Sequence, residues 1–150
     1  MNKMLNPKRD NTKMGRFHVE LEIANYKDMV HAEKGALAPD QVRRMKIKGV
    51  VDSGASRLVL PKSVAQELGL ERTRKVRVNY ADGRQALRDE VTGVFVALAG
   101  RDGLFKAIVE PKRETALIGA IVLEDLDFLP DCRLQKLVPR DPRFIVAEIE

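Results

Sequence analysis

The sequence predicts a mostly-β domain with one or two short helices, and three observations carry that prediction. Apolar and polar residues alternate in several runs, "RFHVELEIA" from Arg16 to Ala24 being the clearest. Asp-Gly pairs, Asp82-Gly83 and Asp102-Gly103, follow or interrupt such runs, and this dipeptide suits the positive φ angles of tight hairpin turns. Helical spacing with both a start and a stop signal is confined to "PKSVAQELGL", Pro61 to Leu70. With 150 residues, 44% hydrophobic and 33% charged, the chain fits one globular domain that can bury a core.

The elements follow in chain order. Residues 1–14 are polar, basic and Pro-containing, and are expected to form a disordered tail. In Arg16 to Ala24, Phe17, Val19, Leu21 and Ile23 face one way and His18, Glu20 and Glu22 the other, as in a half-buried strand; "KDMVHAE" is its expected hairpin partner. Met45 and Ile47 alternate with basic residues from Arg44 to Lys48, and this run continues into the apolar pair before Asp52. Pro61 opens the helix and Gly69 ends it, with Val64, Ala65 and Leu68 on one face. "RKVRVNY" and "QALRDEVTGVFVALA" read as strands joined by "ADGR", and "AGRDGLFKAIV" carries the second Asp-Gly hairpin signal. "TALIGAIVLEDL" divides into a strand from Ala116 to Ile118, a turn at Gly119 and a short helix from Ile121 to about Leu126. "DFLPDCRLQKLVP" and "RFIVAEIE" supply the last strand candidates.

Composition removes several function classes. The longest apolar run, Val91 to Ala99, is too short to cross a bilayer, and the basic N-terminus lacks the apolar block of a signal peptide, so no membrane role and a cytoplasmic location are expected. The lone Cys132 permits neither an internal disulfide nor a thiolate cluster, in keeping with a reducing compartment. A net charge of +5 raises nucleic acid as a partner, but the basic residues are scattered and only 5% of residues are aromatic, too few for base-stacking platforms. "HAE", His31 to Glu33, has the H-x-E half of a zinc deaminase motif without cysteines for the other half. No histidine follows His31 to activate Ser53 or Ser56 as a nucleophile.

That leaves "GVVDSGASRLVLP", Gly49 to Pro61, where an aspartate stands between a buried strand and a Ser-Gly-Ala turn. A carboxylate placed there loses hydration and must recover it from donors, so it is either a turn device or a reactive group. Four pieces stand in order: "VVDSGASRLVLP", a helix, the "ADGR" hairpin and "ALIGA". Together they resemble the retropepsin-like, single-lobe aspartic proteases of the retroviral type, including their bacterial members. The similarity covers residues 15–139 as the protease domain, leaving residues 140–150 as a C-terminal strand or tail, a place for either a dimer interface or an edge strand.

The resemblance implies a closed acid-protease-like barrel lobe, active as a homodimer on an extended peptide or protein substrate, with no cofactor and no metal. Asp52 is the implied catalytic residue, and Ser53, Gly54 and Ala55 complete the active-site loop. Leu117, Ile118 and Gly119 form the triplet that crosses beneath it, and Tyr80, Ala81, Asp82 and Gly83 belong to a candidate flap that closes over substrate. The chemistry needs two carboxylates so close that they share one proton, and the chain holds a single D-[ST]-G, so the second must come from another copy on a two-fold axis. One departure is plain: retroviral enzymes follow the triplet's glycine with an Arg-Asp or Arg-Asn brace, whereas Gly119 precedes Ala120, Ile121 and Val122, leaving Glu124 and Asp125 to meet a base such as Arg57. The alternative function is a non-catalytic peptide-binding or dimerisation module of the same fold.

Overall fold

Strand β1, Arg16–Asn25, buries Phe17, Leu21 and Ile23 and turns its charged residues outward, as its alternation requires. The computed structural model in which it is seen describes residues 16–150, so the expected tail at residues 1–14 lies outside the described residues. β1 pairs antiparallel with β2, Arg44–Asp52, from Arg16 opposite Asp52 to Ala24 opposite Arg44. The segment between them is not a strand. Tyr26–Glu33 forms helix α1, because Asn25 caps it: its side chain accepts from the Asp28 amide at 3.0 Å. Asp28 in turn takes two guanidinium bonds from Arg43, at 2.8 and 3.0 Å, which fixes the helix on the start of β2 and holds the Asp28 carboxyl below its ordinary range, chiefly through those bonds.

After β2 come β3, Leu58–Pro61, helix α2, Lys62–Glu67, and the strands β4, Glu71–Asn79, β5, Gln85–Leu98, and β6, Arg101–Glu110. β7, Ala116–Ile118, helix α3, Ala120–Leu126, and the hairpin β8, Phe128–Asp131, with β9, Lys136–Pro139, complete the described elements. The main sheet runs β1-β2-β7-β3-β6-β5-β4, and β5 pairs back onto β1 from Glu22 opposite Ala97 to Asn25 opposite Val94. Six strands thus close into a barrel, which removes two exposed edges. β5 does this by changing partners at Gly93, φ +71°: residues 85–92 pair with β4, and residues 94–97 with β1. Its first half therefore leaves the barrel as a hairpin with β4.

The barrel interior holds Leu21, Ile23, Val51, Leu58, Leu60, Val94, Val96 and Ile118, all nearly without exposed surface. Each such side chain contributes about 1.5–3 kcal/mol by leaving water. The turn before β6 falls at Ala99-Gly100, whose φ angles of 49° and 87° are those of a two-residue hairpin loop, with Leu98 opposite Arg101. Asp102-Gly103, the expected turn, lies inside β6 instead. A Cβ on Gly103 would stand 3.1 Å from Phe105 and 3.2 Å from Leu126, so this glycine serves packing rather than a turn. Residues 143–150 form no strand; Arg101 and Asp127 hold the start of this tail through bonds to Phe144 and Val146.

Candidate active site

β2 delivers Asp52 to the rim of the barrel. Its two neighbours in the sheet centre explain why: β7 lies parallel to β2, with Val51 beside Ile118, and antiparallel to β3, with Leu58 opposite Ile118. The chain leaving β2 must turn at once to enter β3 on the far side of β7. Ser53 and Gly54 make that turn and are exposed, and the Gly54 amide donates to Asp52 Oδ1 at 3.0 Å. A Cβ on Gly54 would stand 3.2 Å from the same oxygen.

The triplet locks the loop from below. Gly119 ends β7 against the backbone of the loop, where a Cβ would come within 2.5 Å of the Arg57 carbonyl oxygen and 2.7 Å of that of Ala55. Only glycine fits this crossing. Helix α3 begins immediately after it, and the first two of its amides bond the loop: Ala120 to the Ala55 carbonyl at 2.7 Å and Ile121 to that of Ser56 at 3.0 Å. Leu117 borders the cleft above, while Ile118 is buried in the core.

A cleft of about 530 Å³ opens beside the loop, lined by Gly54, Ala55 and Leu117 on the barrel side and by Val76, Val78 and Tyr80 of the hairpin. The structure therefore brings the loop, the triplet and the hairpin to one place. Ala81, Asp82 and Gly83 form the hairpin tip and do not line the cleft; Gly83 adopts φ +91°, and Asp82 accepts from the Arg84 amide and guanidinium at 3.0 and 2.8 Å. Tyr80 points its hydroxyl at Glu110 Oε2, 2.5 Å away, while Arg88 bonds the other oxygen at 2.7 Å. Burial first, and then this bond to a carboxylate, raises the Tyr80 pKa above its ordinary value.

Arg16, Glu90 and Arg113 were not singled out from sequence. Arg16, opposite Asp52 in the β1–β2 register, places Nε 3.2 Å from Asp52 Oδ2. Arg57 bonds Glu90 at 2.6 Å, not Glu124 or Asp125, and Glu90 also accepts from Thr73 and from Arg74, both at 2.9 Å. Arg113, on the loop between β6 and β7, lines the cleft. The signal for Arg16 was the strand register itself, which pairs the first residue of one strand with the last of the next. Among the described residues no three His, Cys, Asp or Glu side chains converge to hold a metal ion.

A six-stranded barrel with an aspartate loop pinned by a glycine crossing, beside a hairpin-covered cleft, defines an acid-protease-like lobe. The aspartyl protease family matches residues 41–122, more than half the chain, and the chain belongs to that family. No curated protein matches it. Among solved structures, the chain is similar to the simian foamy virus (mac) protease in solution: 17% identity, TM-score 0.45, with 71% of this chain and 90% of that one covered. It is also similar to the EIAV protease complexed with the inhibitor HBY-793, at 21% identity and TM-score 0.44, with 54% and 77% covered.

Proposed function

We propose that this chain is a retropepsin-like aspartic endopeptidase that works as a homodimer, each copy giving one Asp52 to a shared site. The observation that carries the reading is the Asp52 turn: a carboxylate at a barrel rim, held by the Gly54 amide at 3.0 Å, in a loop that lines a peptide-sized cleft. In the reaction one carboxylate takes a proton from water as the water oxygen bonds to the peptide carbonyl carbon, and the protonated partner gives its proton to the carbonyl oxygen. The tetrahedral diol then breaks its C–N bond, and the leaving nitrogen takes up a proton from a carboxyl group. The exposed loop residues Ser53 and Gly54, and the exposed Phe144, Ile145 and Ile149 of the tail, support a surface that a second copy covers. The protease domain in this proposal spans residues 15–139. The chain lacks the Arg-Asp or Arg-Asn pair that braces retroviral dimers after Gly119, so its dimer is held by other contacts, and a bacterial-type member belongs to the same proposal. A cytoplasmic location belongs to the same proposal: no helix among the described residues is long and apolar enough to cross a membrane.

The Arg16–Asp52 contact favours a second reading, a non-catalytic peptide-binding or dimerisation module, because a guanidinium at 3.2 Å occupies an oxygen that the water needs. Cleavage separates the two. Incubated with a mixed peptide library at several pH values, the wild-type protein is expected to cut peptides, a transition-state inhibitor of aspartic proteases to stop it, and Asp52→Asn to abolish it while the fold persists. Cleavage that persists in Asp52→Asn places the chemistry elsewhere, and no inhibitor-sensitive cleavage at any pH leaves the second reading.

A further inference from the structure

The charges around the cleft are unequal. Arg57, Arg77 and Arg113 line it against the single carboxylate of Glu110. Two of these four charges already have partners: Arg57 meets Glu90 at 2.6 Å, and Glu110 meets Arg88 at 2.7 Å. Among the described residues, Arg77 and Arg113 make no ion pair. Arg77 reaches only the neutral Gln85 side chain, at 3.4 Å, and Arg113 donates to the Thr115 carbonyl at 2.8 Å and its hydroxyl at 3.4 Å.

Arg113 is the more telling of the two. It is half-buried, so it has lost hydration without gaining a counter-charge. Burial first, and repulsion from Arg16 second, lower its pKa against the attraction of Glu110 and Asp52. A guanidinium with free donors in a partly dry cleft is a ready partner for a carboxylate, which it can grip with two parallel bonds. Beside it, Val59, Val76, Val78, Ile108 and Leu117 give the cleft an apolar wall.

Resting on the protease reading above, we propose that Arg113, supported by Arg77, selects peptides that carry a carboxylate near the scissile bond, next to an apolar side chain that fills the valine-lined wall. Repulsion from Glu110 is offset by the Arg88 guanidinium, which pairs with it at 2.7 Å, while Tyr80 bonds its other oxygen. The carboxylate is that of an acidic side chain or of a peptide's own C-terminus, and blocking the peptide ends distinguishes them.

The test compares peptides that differ only in Glu against Gln at each position around an apolar residue, in an end-blocked series and in a series with a free C-terminal carboxylate. Wild type is expected to prefer a carboxylate-bearing peptide by about tenfold in kcat/KM, mostly through KM, the size of one charge-assisted hydrogen bond. Arg113→Met should bring the ratio close to one, Arg113→Lys should retain only part of it, keeping the charge but not the two parallel bonds, and Arg113→Glu should reverse it in favour of Lys-containing peptides. Thermal unfolding of each variant shows whether it is folded, and the lysine variant keeps the test valid if the methionine variant is not. Fluorescence anisotropy of labelled peptides on Asp52→Asn reads the same preference without turnover. Preferential binding there with no cleavage by wild type supports the carboxylate site and overturns the protease reading. Cleavage or binding that ignores the carboxylate in both series, or a preference unchanged in Arg113→Met, overturns the proposal and leaves the protease reading standing.

Discussion

At Glu90, burial and hydrogen bonding act on one carboxyl in opposite directions. Burial pushes its pKa up, but bonds from Arg57, Thr73 and Arg74 pull it down further, to about 2 from an ordinary 4.5. A carboxyl whose pKa is lower in the folded state stabilises the fold at pH above the ordinary value, and that stability is lost as pH falls from 4.5 through about 2. The shift corresponds to something on the order of 3 kcal/mol. Glu90→Gln is expected to cost about 2–3 kcal/mol at neutral pH, since Arg57 and Arg74 lose their partner but reach water at their exposed ends. Urea unfolding across acid pH checks it: the mutant's stability should fall less steeply than wild type's below pH 4.5, and parallel curves contradict the assignment. Asp52 and Gly119 were legible in the sequence because each stands in a short local pattern. Glu90 was not, because its partners Arg57 and Arg74 are 33 and 16 residues away, and the strand register that sets Arg74 across from Glu90 includes a bulge after Arg72.

The element that decides the site is the crossing of β7 under the Asp52 loop. Three backbone atoms, the Arg57 and Ala55 carbonyl oxygens and the Arg57 nitrogen, would lie within 2.7 Å of a Cβ, so Gly119→Ala has no flexible neighbour to displace. Its expected cost is about 3 kcal/mol or more, at the upper end for overpacking, with loss of cleavage because the strain falls directly on Ala55 and Arg57. Calorimetric melting beside a cleavage assay measures both, and a variant with unchanged melting temperature contradicts the packing described. Strands β1, β2, β4, β5 and β7 and helices α2 and α3 were legible because alternation and helix punctuation act over a few residues, whereas the four-residue β3 was not singled out as a strand. The split of Ala116 to Leu126 into strand, glycine and helix matches the structure closely for the same reason. Helix α1 was missed although Asn25-x-x-Asp28 carries a capping signal, because the segment's short apolar content reads equally well as a strand. The Ala99-Gly100 turn was missed because Asp102-Gly103 has the stronger dipeptide signal, and only the packing of α3 shows that Gly103 is needed inside a strand.

For the described residues as a whole, closure of the barrel through the β1–β5 pairing leaves the Asp52 loop at the rim, with the β4–β5 hairpin beside the cleft it lines. Among the described residues the other two Asp-Gly aspartates stand away from the Asp52 loop, Asp82 at the hairpin tip and Asp102 inside β6. The proposed enzyme is thus a property of two chains, which the sequence implied by holding a single D-[ST]-G but which no local pattern could describe in geometry. The measurement that tests this most directly mixes wild type and Asp52→Asn in varied proportion, with time for subunits to exchange, at constant total protein. If each site needs Asp52 from both copies, cleavage follows the square of the wild-type fraction, so an equal mixture retains about one quarter of the activity of wild type alone. An equal mixture that retains about half, with activity falling in straight proportion, contradicts a site shared between two Asp52 carboxylates.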